Sequence, residues 1–332
     1  MPAPAIPRLP STNSRLFARV IGRDFDRHQR DRAIVATSNA SCGSAPGDGE
    51  GALITERRAV YAGCGSRELV VDGAGSVVVL LHGLGDSADT WRPVLYRLAA
   101  RGQCGIAVDL PGFGDADDLR PGPKLPQLEA FVDDVVRHHG SRQPVVLVGN
   151  SLGGLLTVRA AAIHRGLPVG GILAIGSAGT GWAPLLYIAT RGNLALVKLF
   201  AKVPTPTWLR RPAMAAAMRL VLYGRWRAAD PAQLRNFLER LDRRPVMASA
   251  IALLPEVNAL SGFREVACPA TVLHGGRDRL VSVAAARRLH QAIPHSRLVV
   301  LPDSGHCPQL DAPDEVATLA SELATTNPWR SA

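Results

Sequence analysis

The chain has no C-x-x-C pair, and its five cysteines (Cys42, Cys64, Cys104, Cys268 and Cys307) are scattered and odd in number. That spacing argues against a structural zinc site and predicts free thiols in a reducing compartment. There is no apolar run long enough to cross a membrane. The N-terminal stretch lacks the short apolar core of a secretory signal. Together these absences predict a soluble, cytoplasmic protein. No internal repeat is apparent, no glycine pattern fits a phosphate loop, and no recognised nucleic-acid module accompanies the positive charge. The sequence therefore predicts no metal, no nucleotide cofactor and no nucleic-acid partner. It leaves the oligomeric state open.

What is present is enough apolar material for a large core. The 332 residues are 47% hydrophobic and 20% charged, with a net charge of +10. Such a chain can build one large α/β domain with an insertion, or two domains. Residues 1–50 are rich in Pro, Arg, Ser and Gly without sustained periodicity, and we read them as a disordered leader outside the fold. A strand pair is predicted at Arg57–Ala62 and Glu68–Asp72. Beyond it, apolar strands (Ser76–Leu81, Gly105–Asp109, Pro144–Val148, Gly170–Ile175, Ala270–His274, Arg297–Leu301) alternate with helices (Trp91–Arg101, Leu125–His139, Leu152–Arg165, Val283–Ile293, Pro313–Ala324). That alternation predicts a mostly parallel sheet with helices on both faces, because continuous apolar strands need cover on both sides. Residues 181–262 carry helical patterns only, at Leu185–Lys202, Arg211–Leu222, a third helix capped by Asp230, and Val246–Leu260. They read as a helical lid inserted between two parts of the core, 51–180 and 263–332.

The chemistry centres on Gly149-Asn150-Ser151-Leu152-Gly153, which joins the strand Pro144–Val148 to a helix. A serine between two glycines on a sharp strand-to-helix turn projects its hydroxyl at the top of a sheet. A hydroxyl is a weak nucleophile at neutral pH and needs an oriented base. His306 lies just after the last strand and Asp278 just after the strand before it, where sites in parallel sheets assemble. Asp303 is a rival acid on the His306 loop; Asp278 is preferred because of its strand-end position. The developing oxyanion needs N–H donors. Leu152, following the serine, supplies one, and Leu84, in the loop His82-Gly83-Leu84-Gly85 after an early strand, is the candidate for the other. The His82 side chain is read as bracing that loop, Asp109 as structural, Asp86 and Asp89 as helix caps, Cys307 as a packing residue, and Asp311 and Asp314 as caps of the last helix.

Five motifs together resemble the α/β-hydrolase superfamily, its lid-bearing members in particular: His82–Gly85, Asp109–Gly114, Gly149–Gly154, His274–Asp278 and Gly305-His306. The resemblance spans about residues 52–325. It implies a serine hydrolase with the triad Ser151, His306 and Asp278, without metal or cofactor. Branches resembling haloalkane dehalogenases and epoxide hydrolases carry Asp at the nucleophile position, against Ser151 here. The Gly-Asn-Ser form also occurs in a branch that cleaves carbon–carbon bonds, but that branch usually has Trp where Cys307 stands.

The expected activity is hydrolysis of a carboxylic ester or related small acyl substrate with an apolar portion. Trp182, Leu185, Leu186, Met214 and Met218 are candidates for lining the acyl pocket. Alternatives are carbon–carbon hydrolysis or acyl transfer by the same triad, or a weakly catalytic membrane-associated or binding protein on the same fold. Between 183 and 260 twelve basic residues face four acidic ones, a net +8. The preferred reading is a solvated outer face; peripheral contact with an anionic membrane is the alternative.

Overall fold

A computed structural model of the chain describes residues 54–162, 165–179, 265–293 and 295–325, with scattered positions between 212 and 257. Val78 to Leu81 and Val145 to Val148 are completely buried, as continuous apolar runs require. They belong to an eight-stranded sheet in the order β1-β2-β4-β3-β5-β6-β7-β8. The strands are β1 (Thr55–Tyr61), β2 (Cys64–Val71), β3 (Ala74–Leu81), β4 (Gln103–Val108), β5 (Val145–Asn150), β6 (Val169–Ile175), β7 (Ala270–Gly275) and β8 (Arg297–Leu301). β2 pairs antiparallel with β1 and with β4; every other pairing is parallel. The protein thus has the α/β-hydrolase fold expected from its sequence.

Alternate residues of each buried strand serve opposite layers. Val79 and Leu81 join the core formed with α2 (Leu125–His139), α3 (Leu152–Ala160) and α4 (Val283–Ala292). Val78 and Leu80 join the core formed with α1 (Arg92–Ala100) and α6 (Pro313–Thr325). The neighbours β4 and β5 flank β3, so the chain leaves β3 toward one edge and returns toward the other. A crevice opens outside the carboxyl ends of strands at such a reversal, and the loops after β3 and β5 both emerge there.

Several local boundaries differ from the sequence reading. The helix expected from Trp91 begins as a 3-10 turn, Ala88–Trp91, before α1. α3 stops at Ala160 rather than Arg165, and Ala162 forms a bridge with Val266. A four-residue helix, α5 (Pro308–Asp311), is too short to leave a periodic signal. Among the described residues Cys64, Cys268 and Cys307 are free thiols.

Between β6 and β7 the described positions Pro212, Ala215, Ala216, Arg219–Leu222, Leu234, Arg235, Leu238, Leu253, Glu256 and Val257 are helical. The helix Leu185–Lys202 and the pocket candidates Trp182, Leu185, Leu186, Met214 and Met218 lie outside the described residues. Leu253 and Val257 pack into the core under β5. The Glu256 carboxylate accepts the Leu125 N–H at 2.8 Å and the Lys124 N–H at 3.1 Å, capping α2 with a negative charge at its positive end. Among the described residues no helix is long and apolar enough to cross a membrane.

Candidate active site

Ser151 sits between β5 and α3 with φ 55° and ψ −109°. Left-handed backbone at a non-glycine residue costs about 1–3 kcal/mol and persists only where the surroundings enforce it. Here the Ser151 N–H donates to Ile175 O at 2.9 Å, and its carbonyl accepts the N–H groups of Leu155 and Ala178 at 3.0 Å each. The flanking glycines are needed for space. A Cβ on Gly149 would lie 2.1 Å from Gly153 O, and one on Gly153 would lie 2.1 Å from Leu81 O. α3 therefore rests directly on the end of β3, and the serine is pushed up at the sheet edge.

Asp278 follows β7 and His306 follows β8. His306 Nδ1 and Asp278 Oδ2 are 2.8 Å apart, with both side chains buried. The other carboxylate oxygen, Oδ1, accepts the N–H groups of Leu280 and Val281 at 2.8 and 2.9 Å. Burial by itself would raise the Asp278 pKa. The charge and hydrogen bond of His306, the Val281 N–H and His274 outweigh burial and hold it below the usual carboxylate value. An ionised Asp278 accepts a hydrogen bond from the Nδ1–H of His306, which leaves Nε2 as the nitrogen with the free lone pair. Burial likewise pushes the His274 pKa down, and its Nε2 lies 3.1 Å from Val281 O. Asp303, the rival acid, pairs instead with Arg277 at 2.6 Å on the surface.

The Ser151 turn and the His306–Asp278 pair are linked through the end of β6 and through Asn150. A Cβ on Gly176 would lie 3.4 Å from His306 Nδ1 and 3.5 Å from Asp278 Oδ2, so the loop after β6 runs against the pair. The preceding residue, Ile175, accepts the Ser151 N–H. Asn150 Nδ2 donates to His306 O at 2.8 Å. Ser151 is thus one residue from a direct contact with the histidine loop. The sequence reading quoted Asn150 in its motif without giving it a role.

The loop after β3 closes over the same spot. A Cβ on Gly83 would lie 3.3 Å from Ser151 Cβ, which brings the Leu84 backbone beside the serine turn. Leu152 opens α3, where N–H groups have no partner within the helix. His82 Nε2 accepts the Leu110 N–H at 2.9 Å, so its Nδ1 carries the proton and donates to Gly83 O at 2.7 Å. Asp109 braces the loop from below. It accepts the Ala88 and Asp115 N–H groups at 2.7 and 2.8 Å and Arg67 Nε at 2.9 Å.

Other residues singled out in the sequence gain partners. Asp89 lies in the first turn of the 3-10 helix Ala88–Trp91 and is held by Arg67 at 2.7 Å and Arg92 at 2.8 Å. Asp311 accepts the Gly305 N–H at 2.7 Å and the Gly224 N–H at 2.9 Å, contacts its place before the last helix did not foretell. Arg67, buried on β2, left no signal, because a single arginine in a strand reads as solvent-facing. Asp314 does lie in the first turn of α6, and it also pairs with Arg97 at 2.7 Å. Cys307 is buried, and burial first of all pushes its thiol pKa well up, which suits a packing residue. Among the described residues no group of three His, Cys, Asp or Glu side chains is arranged to hold a metal ion.

A strained serine turn, a buried His–Asp pair and a glycine loop at one edge of a parallel sheet define the class. Residues 78–319 match a family model described as the alpha/beta hydrolase family. The chain belongs to that family and is a hydrolase. It is 30% identical over 251 residues to an esterase of Mycobacterium tuberculosis, covering 73% of this chain and 80% of that one. It is 30% identical over 248 residues to a 2-hydroxy-6-oxononadienedioate/2-hydroxy-6-oxononatrienedioate hydrolase of Cupriavidus pinatubonensis, covering 71% and 83%. A biotin biosynthesis bifunctional protein of Teredinibacter turnerae is 27% identical over 264 residues, which is 75% of this chain but only 44% of that protein. Among solved structures, a membrane phospholipase A superposes with a TM-score of 0.68 at 23% identity, covering 84% and 87%, a likeness of fold alone.

Proposed function

We propose that the protein hydrolyses a carboxylic ester, or a related small acyl compound with an apolar portion, through an acyl-enzyme. The observation that carries this reading is the 2.8 Å His306–Asp278 contact beside the strained Ser151 turn. Ser151 Oγ attacks the acyl carbonyl, and His306 Nε2 takes its proton. Asp278 keeps the imidazole in the Nδ1–H form and stabilises it once charged. The N–H groups of Leu84 and Leu152 hold the oxyanion. His306 then protonates the leaving alcohol and activates the water that releases the acid. Trp182, Leu185, Leu186, Met214 and Met218, on the helical lid proposed for 181–262, line the acyl side.

The test is turnover of p-nitrophenyl esters from acetyl to long acyl chains, wild type beside Ser151→Ala. Serine-dependent turnover with a chain-length optimum supports the reading. Undiminished turnover by Ser151→Ala would sink it.

A second reading, carbon–carbon hydrolysis by the same three residues, is favoured by the Cupriavidus relative and by Asn150 before the serine. Turnover of a vinylogous ring-cleavage diketone with none of the esters would select it.

We keep the cytoplasm as the proposed location. The free thiols Cys64, Cys268 and Cys307 support it, since disulfides are rare in reducing compartments. Thiol trapping in intact cells decides. The net +8 between 183 and 260 would suit contact with an anionic membrane, which salt-sensitive binding to anionic vesicles would reveal.

A further inference from the structure

The described part of the insertion nearest the site, Arg219–Gly224, is bonded to both loops that carry the acid and the base. Arg279, next to Asp278, donates to Leu220 O. The Cys307 N–H, next to His306, donates to Leu222 O at 3.0 Å. Between these lies Asp311. A single carboxylate oxygen, Oδ2, accepts the N–H of Gly305 at 2.7 Å and the N–H of Gly224 at 2.9 Å. Gly224 and Asp311 are 87 residues apart in the chain, so no local structure explains the contact. The packing here leaves no slack. A Cβ on Gly224 would lie 2.0 Å from Asp303 O, and one on Gly305 would lie 2.5 Å from Gly224 N.

We infer that Asp311 is a positioning residue: its carboxylate ties the Leu222–Gly224 segment of the insertion to the Gly305-His306 loop and thereby seats the His306 imidazole. The inference rests on the reading of His306 as the base. Gly305 immediately precedes His306, so its N–H sets the direction in which the histidine leaves the loop. Asn150 holds the carbonyl of His306 from the serine side at 2.8 Å. Asp311 and Leu222 hold the loop from the insertion side. The base is therefore clamped between the serine turn and the insertion, and displacing Gly224 would displace His306. Two N–H donors converging on one anionic oxygen form charge-assisted bonds, stronger than neutral ones. A loss of alignment of about 1 Å at a reacting group costs on the order of a hundredfold in rate.

Asp311→Ala, Asp311→Asn, Gly224→Ala and the double variant Gly224→Ala/Asp311→Ala are compared with wild type and with Ser151→Ala. The readouts are kcat and KM on a short p-nitrophenyl ester and the rate of Ser151 labelling by a fluorophosphonate. Asp311→Ala is expected to lower kcat and labelling together by roughly tenfold to a hundredfold while KM moves by less than about threefold. Asp311→Asn keeps an acceptor oxygen and is expected to recover most of the loss. Gly224→Ala pushes the insertion off the loop and should give the same defect. In the double variant the two losses should fail to multiply, because both break one tie. Wild-type rates in Asp311→Ala, no recovery in a folded Asp311→Asn, or fully multiplying losses in the double variant would each overturn the inference. If Ser151→Ala keeps its activity, the triad reading itself fails; if it is inactive while Asp311→Ala is normal, only the tie fails. Should Asp311→Ala not fold, Asp311→Asn and Gly224→Ala still decide.

Discussion

The Asn150 side-chain amide donates to the main-chain carbonyl of His306 at 2.8 Å, bridging the residue before the serine and the histidine itself. Asn150 is 1% exposed and also reaches Ile175 O at 3.4 Å. The serine turn and the histidine loop are thus linked by a buried side chain. Asn150→Ala is expected to lower kcat about tenfold or more with little change in KM, by releasing that link. Steady-state kinetics on the best ester checks it. An unchanged kcat would show that the loop is seated by its other contacts.

Gly153→Ala tests the contact between α3 and β3. The added methyl would meet Leu81 O at 2.1 Å, and a backbone carbonyl cannot swing away as a side chain can. A loss of about 3 kcal/mol or more is expected, at the upper end of overpacking effects. Urea denaturation measures it. A loss below about 1 kcal/mol would mean that the helix can slide on the strand.

Asp278→Asn should lower kcat by roughly a thousandfold to ten-thousandfold, since an amide no longer favours the productive imidazole tautomer. In the wild type the folded Asp278 pKa is depressed below its reference of 3.8. Its stabilising charge is therefore fully present above that value and is lost only as pH falls below it. Activity between about pH 4 and 5 is expected to be limited by groups other than Asp278. Direct observation of the Asp278 carboxyl titrating above about pH 4, by NMR of its side chain, would contradict this.

Glu68 offers an acid-stability test away from the site. Its carboxylate is buried and bonded to Arg57 Nε at 2.6 Å, to the Tyr61 hydroxyl and to His139 Nε2 at 3.2 Å. Burial would raise its pKa, but His139, Tyr61 and Arg57 together bring it down from 4.5 to about 2. A depressed carboxylate adds stability above its unfolded pKa and loses it as pH falls toward the folded value. The protein should therefore lose stability on the order of 3 kcal/mol between about pH 5 and 2 through this group. Glu68→Gln should be less stable at neutral pH and lose less over that range. Melting temperatures at stepped pH read both effects, and parallel pH curves for the two proteins would refute the assignment.

The two kinds of information divided along a physical line. Runs such as Val145–Val148 announce themselves because a strand covered on both faces must be apolar at every position. The serine turn is local only in part: Gly149 is dictated by collisions with Gly153 and Thr157, whereas Gly153 makes room for Leu81 and His82, far along the chain. Asp278 and His306 could be named because strand ends in a parallel sheet converge on one edge. Other features depended on distance through space. That Asp311 grips Gly224, that Arg67 is buried against Asp109, and that α3 ends where Ala162 meets Val266 are decided by which chain segments arrive beside them. A polar side chain carries the same letter whether it faces water or a partner far along the chain. Only the tertiary structure supplies the partner, because burial makes an unpaired polar group too costly to leave unsatisfied.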